Sequence, residues 1–121
     1  PINCYGKMKA EIEEYLNRSG IPHIIIRAGR VFGTDLSDNT LLTKIVNEIN
    51  SKKHMKYIDN ITFTPAHIDD ICLLIRELIK NRFMGIFHIA SLRPTSIYNI
   101  AKKIKDYFNI ENSNFSACNI E

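Results

Sequence analysis

The chain has 121 residues, which suffices for one domain with one hydrophobic core. Apolar residues make up 45% of it and charged residues 24%, and no apolar run approaches the roughly eighteen residues of a membrane-spanning helix. The formal net charge of +3 comes from scattered basic residues, so composition argues against a membrane and against nucleic acid as partners. The cysteines are three and widely spaced, which favours reduced thiols in the cytoplasm over disulfides or a zinc site.

Helical periodicity alternates with short, solid apolar runs along the chain. In chain order, the pattern first predicts a helix that ends near Ser19, before Gly20 and Pro22, and then a strand at 23–27 that is buried on both faces. A helix capped by Ser37 or Asp38 and a short strand at 56–58 follow. The last predicted elements are a helix from about Ile68 with Asp69 and Asp70 in its first turn, a second buried strand at 85–90, and a helix from Ile97 to Phe108. The polar tail after Asn109 is expected to be loosely held.

This alternation of helices and strands predicts an α/β fold with a mostly parallel sheet. Two or three strands would leave long sheet edges exposed. The chain is therefore expected to complete a larger sheet whose other strands lie upstream, in agreement with a sequence that begins at Pro1 rather than Met.

Tyr5 and Lys9 are the pair most informative about chemistry. They are four positions apart, so on a helix they share one face with Ile12 and Leu16. A lysine on a stripe that should be buried is costly unless it snorkels or serves a purpose there. An ammonium group beside a phenol favours the phenolate, which would let the phenol act as a general acid/base near neutral pH. Because this spacing is common by chance, its meaning depends on the surrounding sequence.

That surrounding sequence carries a resemblance over nearly the whole chain. The start reads Tyr-Gly-Lys-Met-Lys at 5–9, followed by a helix, a strand ending in Arg27, and a turn that closes on Phe32 and Gly33. The segment 64–71 precedes the third helix, and the strand at 85–90 followed by Ser96 forms a late strand–helix unit. In this order the chain resembles the extended short-chain dehydrogenases/reductases from their catalytic tyrosine onward, and among them the dTDP-4-dehydrorhamnose reductase-like branch.

The resemblance implies the C-terminal portion of a Rossmann-like parallel sheet plus a small substrate-binding α/β part. Residues 1–36 would end the dinucleotide-binding core and carry the catalytic helix, and residues 37–121 would be mainly substrate-binding. The implied cofactor is NAD or NADP, with an incomplete site in this chain, and the implied partners are a nucleotide-sugar substrate and a missing N-terminal half of the same protein. A homodimer through the tyrosine-bearing helix is an open alternative, because many family members pair in that way.

By the same resemblance, Tyr5 would give a proton to the keto oxygen of the sugar as hydride arrives, and Lys9 would hydrogen-bond the nicotinamide ribose. Ala28 and Gly29 would pass close to the nicotinamide, and glycine suits a close backbone approach. Arg30 and Arg93 are candidates for contacting the substrate diphosphate. The family does not keep arginine at position 30, and a solvated loop arginine is the more ordinary interpretation of Arg93.

The four histidines lack metal-ligand spacing, so no metal is expected, and His88, within a predicted strand, is expected in the core. Two departures from the family pattern are informative. Met8 stands where the family usually has a small hydroxylated residue, and Phe63 stands where its epimerases often place a phosphate-binding arginine, which favours the reductase branch.

The family's catalytic Ser/Thr and its Gly-rich phosphate turn are not found in these 121 residues, so the isolated chain is expected to bind cofactor poorly and to catalyse nothing. For the intact protein the leading prediction is an NAD(P)-dependent oxidoreductase that reduces a 4-keto nucleotide sugar. The alternatives are a nucleotide-sugar epimerase or dehydratase, a non-catalytic regulatory or binding subunit, and an α/β interaction module in which the Tyr5–Lys9 pair is accidental.

Overall fold

The computed structural model describes residues 1–35, 37–51, 53–111 and 114–121. These residues form four helices and eight short strands, in the order α1 (Cys4–Ser19), β1 (Ile24–Ala28), β2 (Arg30–Phe32), α2 (Leu41–Asn50), β3 (Met55–Ile58), β4 (Thr62–Phe63), β5 (Pro65–His67), α3 (Ile68–Lys80), β6 (Gly85–Ile89), β7 (Thr95–Ser96), α4 (Ile97–Tyr107) and β8 (Phe115–Cys118).

The strands pair mostly in parallel, which confirms the predicted α/β class. β1 pairs with β6, β2 with β5 and β3 with β8 in parallel, while the two-residue strands β4 and β7 pair antiparallel. In the first pair Ile24 lies opposite Gly85, and Ala28 lies opposite Ile89. The carboxyl ends of β1 and β6 therefore meet, and ligands of α/β sheets bind at such ends.

One core lies between α3 and one face of the β1–β6 pair. Ala66, Ile71 and Ile89 are buried together, and Ile26 and Leu74 pack against them. On the opposite face Ile25 is buried, whereas Arg27, Ile86 and His88 are exposed. The prediction that the strand at 23–27 is buried on both faces therefore holds for its first half but not at Arg27, and the prediction of His88 in the core of a second buried strand is wrong for the described chain, because α1 covers only part of this face.

A second core lies where α2 and α4 meet β3 and β8. Ile45, Ile49, Tyr57, Ile100 and Ala101 are buried together. The Tyr57 hydroxyl donates a hydrogen bond to Glu48 Oε2 at 3.0 Å, so the polar end of this buried ring has a partner. Helical periodicity predicted the apolar faces of both helices that form this core.

The predicted N-cap of α2 is wrong: Thr40 caps the helix, not Ser37 or Asp38. Asn39 has a left-handed backbone (φ 53°), which separates Asp38 from the first turn. The Asp38 carboxylate instead accepts hydrogen bonds from the hydroxyl of Thr43 and the backbone N–H of Thr40, and these hold the pKa of Asp38 below its usual value. Asp38 thus organises the loop ahead of the helix.

The tail after Asn109 is not loose as predicted, since it contains β8. Phe115 packs its ring edge against Tyr57 and Tyr98, with centroid distances of 5.6 and 5.9 Å. Near the end of the chain, Asn60 and Ile120 exchange two hydrogen bonds of 2.8 and 3.1 Å. Contacts with aromatic residues far away in sequence therefore hold this segment in place. The polar composition of the segment gave no indication of this packing.

Ser96, at the end of β7, links the start of α4 to Asp59, which directly follows β3. Its hydroxyl is fully buried, donates to Asp59 Oδ1 at 2.6 Å and accepts from the backbone N–H of Asn99 at 3.1 Å, which caps α4. Ser96→Ala is expected to lower the free energy of unfolding by about 1–3 kcal/mol, because both partners lose a hydrogen bond. Urea denaturation followed by circular dichroism measures this loss. Ser91→Ala, at an exposed serine, is the control, and an equal loss in both variants would contradict the assigned role.

Candidate active site

The start of α1 brings Tyr5 and Lys9 together. Asn3 caps the helix, because its Oδ1 accepts a hydrogen bond from the backbone N–H of Gly6 at 2.8 Å. Lys9 Nζ lies 5.5 Å from the centroid of the Tyr5 ring, which is a cation–π distance. Tyr5 is 69% exposed, so the pair is accessible to a molecule that binds beside α1.

The apolar stripe of α1 is not buried in the described chain. None of its sixteen residues is buried, and Met8, Ile12 and Tyr15 are more than half exposed. The expectation of a buried stripe is therefore not met by these residues. So much exposed apolar surface along one helix is typical of a surface that another structural element covers.

The turn that follows β1 is fixed by a close backbone approach at Gly29. Its N–H donates to Ile89 O at 2.8 Å, which extends the β1–β6 pairing past Ala28. A Cβ atom at Gly29 would lie 2.0 Å from the carbonyl oxygen of Thr64. The close approach that glycine permits here is thus to the chain's own backbone, and sequence reasoning had assigned it to the nicotinamide instead.

Arg30 lies at the start of β2 and reaches across to β4. Its guanidinium carbon lies 5.4 Å from the centroid of the Phe63 ring. Arg30 is exposed and forms no ion pair with any residue in the described ranges, so its N–H groups are available to bind an anion. Arg93 is also exposed, in the loop after β6, and its side chain forms no ion pair with any residue that the structure describes.

A cleft of about 170 Å³ lies at the carboxyl ends of β2, β5 and β6. The hydrogen bond from Ser91 N to Pro65 O, at 3.0 Å, holds the segment after β6 against the start of β5. His67 at its wall caps α3 by accepting from Asp69 N at 3.2 Å, and its ring meets Phe32 edge-on at 5.0 Å. Its lining residues are Phe32, Pro65, Ala66, His67, Asp70, Ile89, Ala90 and Ser91.

Sequence reasoning missed this cleft. The available signal was the small pair Ala90–Ser91 directly after a solid apolar strand, because ligands approach the backbone most closely at such positions. The contribution of β2 and β5 could not be anticipated, since neither strand was predicted.

Two larger depressions lie away from the strand ends. One, of about 570 Å³, lies over α3 at Cys72, Ile75 and Ile79. The other, of about 480 Å³, lies beside the start of β1 near Ile24 and Phe83. Both are open and mainly apolar, although Arg76 and Lys80 also line the first, and His23 and Arg82 also line the second.

Within the described ranges, no group of three or more His, Cys, Asp or Glu side chains is placed to hold a metal ion. No described helix combines the length and the apolar character that crossing a bilayer requires. The acidic pair Asp69–Asp70 occupies the first turn of α3, as predicted from its charge.

Parallel strand pairs flanked by helices define the molecule as part of a Rossmann-like α/β fold. The family model described as RmlD substrate binding domain matches residues 1–121, and the chain belongs to that family. This finding confirms the family to which the sequence pattern pointed.

Solved structures and sequence relatives agree with this assignment. A dTDP-4-dehydrorhamnose reductase from Bacillus anthracis in complex with NADP is similar with a TM-score of 0.86 at 22% identity, over 98% of this chain and 42% of that one. A UDP-glucose 4-epimerase from Thermotoga maritima is similar with a TM-score of 0.74 at 17% identity, over 100% of this chain and 42% of that one. Methionine adenosyltransferase 2 subunit beta from Bos taurus is 23% identical over 93% of this chain and 36% of that protein. The chain thus spans about two fifths of the length of the proteins it matches.

Proposed function

We propose that the chain supplies the proton-donor helix and the substrate-binding part of a cytoplasmic NAD(P)H-dependent enzyme that reduces a 4-keto nucleotide sugar. The observation that carries the proposal is the ammonium group of Lys9 above the exposed ring of Tyr5. Membership of the family and the free guanidinium of Arg30 support the same conclusion.

In this proposal a bound nicotinamide would supply hydride. Tyr5 holds a proton at its hydroxyl oxygen and gives it to the keto oxygen as negative charge develops there, so that hydride and proton together turn the ketone into an alcohol. The positive charge of Lys9 stabilises the phenolate that remains, and its N–H groups are free to hydrogen-bond the cofactor ribose. Ala28 and Gly29 contribute backbone at the end of β1, beside the proposed nicotinamide position.

The remainder of the site is proposed to lie in an upstream half of the same protein. Among the described residues β1 has a strand partner on one edge only, which leaves its other edge available for a further strand. The apolar stripe of α1 and the two apolar depressions are further surfaces for such a half to cover. A second copy of the protein, packed through α1, is the alternative occupant of the stripe.

The division at residue 36, which lies outside the described residues, remains a prediction. We propose one refinement. Because β5 and β6 pair with β2 and β1, the segment 65–89 is assigned to the dinucleotide-binding part, and the segments around α2 and α4 to the substrate-binding part.

Arg30 is proposed to contact the diphosphate of the substrate. Arg30→Ala in the intact protein is expected to raise KM for the nucleotide sugar by about tenfold or more with little change in kcat, because a charge-assisted bond made equally in ground and transition states is lost. Phe63→Leu, which removes only the platform under Arg30, should give a smaller increase. Arg18→Ala on α1, where the side chain is 78% exposed, is the control, and an unchanged KM in Arg30→Ala would contradict the role.

Assaying the intact protein with NADH or NADPH and a 4-keto nucleotide sugar tests the proposed reaction. The proposal expects one cofactor oxidised for each sugar reduced. Interconversion of sugars without net cofactor oxidation would identify an epimerase instead. The similarity to an adenosyltransferase subunit favours a second candidate, a non-catalytic subunit, which would show no turnover and would bind a partner enzyme.

A further inference from the structure

Glu13 is the charged residue of α1 whose side chain is mostly covered, although the helix as a whole is exposed. The helix has no buried residue, and the half-buried ones are Gly6, Glu13 and Leu16. The Glu13 side chain is only 20% exposed, which is unusual for a carboxylate on an otherwise open helix. A carboxylate in this position requires a partner.

That partner is Arg27, near the end of β1. Its Nε donates to Glu13 Oε1 at 3.0 Å, and a second guanidinium nitrogen donates to Glu13 Oε2, so the contact is bidentate. The hydrogen bond from Arg27 holds the pKa of the Glu13 carboxyl below its usual value, and the charges of Arg27 and His88 add to this effect. His88 lies opposite Arg27 in the strand register, on the same face of the pair. A bidentate contact fixes orientation as well as distance.

The pair lies at matching heights on the two elements it joins. Glu13 precedes the end of α1 by six residues, about 9 Å along the helix, and Arg27 follows the start of β1 by three residues, about 10 Å along the strand. Tyr5, Lys9 and Glu13 recur every fourth residue, so they lie on neighbouring parts of one face. Fixing Glu13 therefore fixes the rotation of α1 that presents Tyr5 and Lys9.

We infer that Glu13 and Arg27 are positioning residues, which hold α1 in the rotation and height that aim Tyr5 at the carboxyl ends of β1 and β6. This inference rests on the proposed function. A second contact between α1 and the rest of the chain, between His23 Nε2 and Asn17 Oδ1 at 3.1 Å, lies at the far end of the helix from Tyr5. It anchors the exit of α1 but leaves its rotation near Tyr5 to the Glu13–Arg27 pair.

The chain offers a matched control in Glu14 and Arg18. This ion pair has the same chemistry, but both side chains are more than half exposed and both lie on α1 itself. It cannot position the helix against the strands, and exposed pairs of this kind contribute little to stability. Glu14→Gln in the intact protein should therefore leave kcat, KM and the Tyr5 environment unchanged.

Kinetics of the intact protein test the inference. Arg27→Met and Glu13→Gln should each lower kcat by about 10- to 100-fold, normalised to sites that bind NADPH, with KM changed less than about twofold. The exchange of charges in Glu13→Arg with Arg27→Glu should recover most of the loss. A purely structural role would reduce the folded fraction but not kcat per binding site. Wild-type kcat in Arg27→Met, or no recovery in the exchanged pair, would overturn the inference.

A second readout separates this inference from the proposed function. Fluorotyrosine in place of Tyr5 reports the surroundings of the ring by ¹⁹F NMR whether or not the protein turns over a sugar. Arg27→Met should shift or broaden this resonance, and Glu14→Gln should not. A wild-type protein without turnover would refute the proposed function, whereas an unchanged resonance in Arg27→Met would refute the positioning role.

Discussion

Tyr5→Phe is expected to lower turnover of the intact protein by about 100- to 10,000-fold while changing the affinity for NADPH less than twofold. The variant keeps the ring over which Lys9 lies and removes only the hydroxyl. General acid catalysis by a positioned group contributes about 10²–10⁴ to a rate, and a loss confined to kcat identifies an interaction made in the transition state.

Tyr15 provides the control for this variant. It lies on the same helix, is 69% exposed like Tyr5, and has no lysine over its ring among the cation–π contacts of the described chain. In steady-state kinetics, Tyr15→Phe should keep the wild-type turnover, so the turnover of the two variants should differ by about 100- to 10,000-fold. Wild-type turnover in Tyr5→Phe, or an equal loss in both, would contradict the assignment of the proton donor.

Gly29→Ala is expected to destabilise the protein by about 3 kcal/mol or more. The added Cβ would lie 2.0 Å from the carbonyl oxygen of Thr64 and 3.2 Å from its carbon. The turn cannot move away freely, because Gly29 N is bonded to Ile89 O at 2.8 Å. Relief of the overlap must therefore separate β1 from β6 or displace the backbone at Thr64, and both changes would disturb the candidate site.

Gly33→Ala is the matched control for this overlap. A Cβ at Gly33 meets Ile68 Cγ2 at 3.5 Å, which is ordinary van der Waals contact. Its effect on the free energy of unfolding should stay within about 1 kcal/mol. Urea denaturation followed by circular dichroism compares the two variants, and equal stabilities would show that the backbone at Thr64 yields easily.

The helices were predictable because their signals are local. Apolar periodicity and the acidic first turn predicted α3 before any contact was known, and Ile97 began α4 as expected. β4 and β7 have two residues each, too few for any periodicity, and their formation depends on pairing with each other. β8 was not predicted either, because its structure depends on parallel pairing with β3, which is distant in sequence.

The residues of the candidate site likewise differ in whether local sequence patterns could predict their contacts. The Tyr5–Lys9 pair was predictable because one helical turn joins its members. The cation–π contact of Arg30 with Phe63 and the approach of Gly29 to Thr64 join residues far apart in sequence, through strands that the pattern did not reveal. The Glu13–Arg27 contact likewise depends on how α1 lies against β1, which no local pattern encodes.

The most direct test of the Tyr5–Lys9 site is the affinity of the intact protein for NADPH in two lysine variants of one helix. Lys9 lies over Tyr5, whereas Lys7 is exposed on another face of α1. By isothermal titration calorimetry, Lys9→Met should raise Kd by about tenfold or more, since a charge-assisted hydrogen bond contributes about 1.5–3 kcal/mol, while Lys7→Met should bind as the wild type does. Equal affinities in both variants would mean that the Tyr5–Lys9 face of α1 does not meet the cofactor.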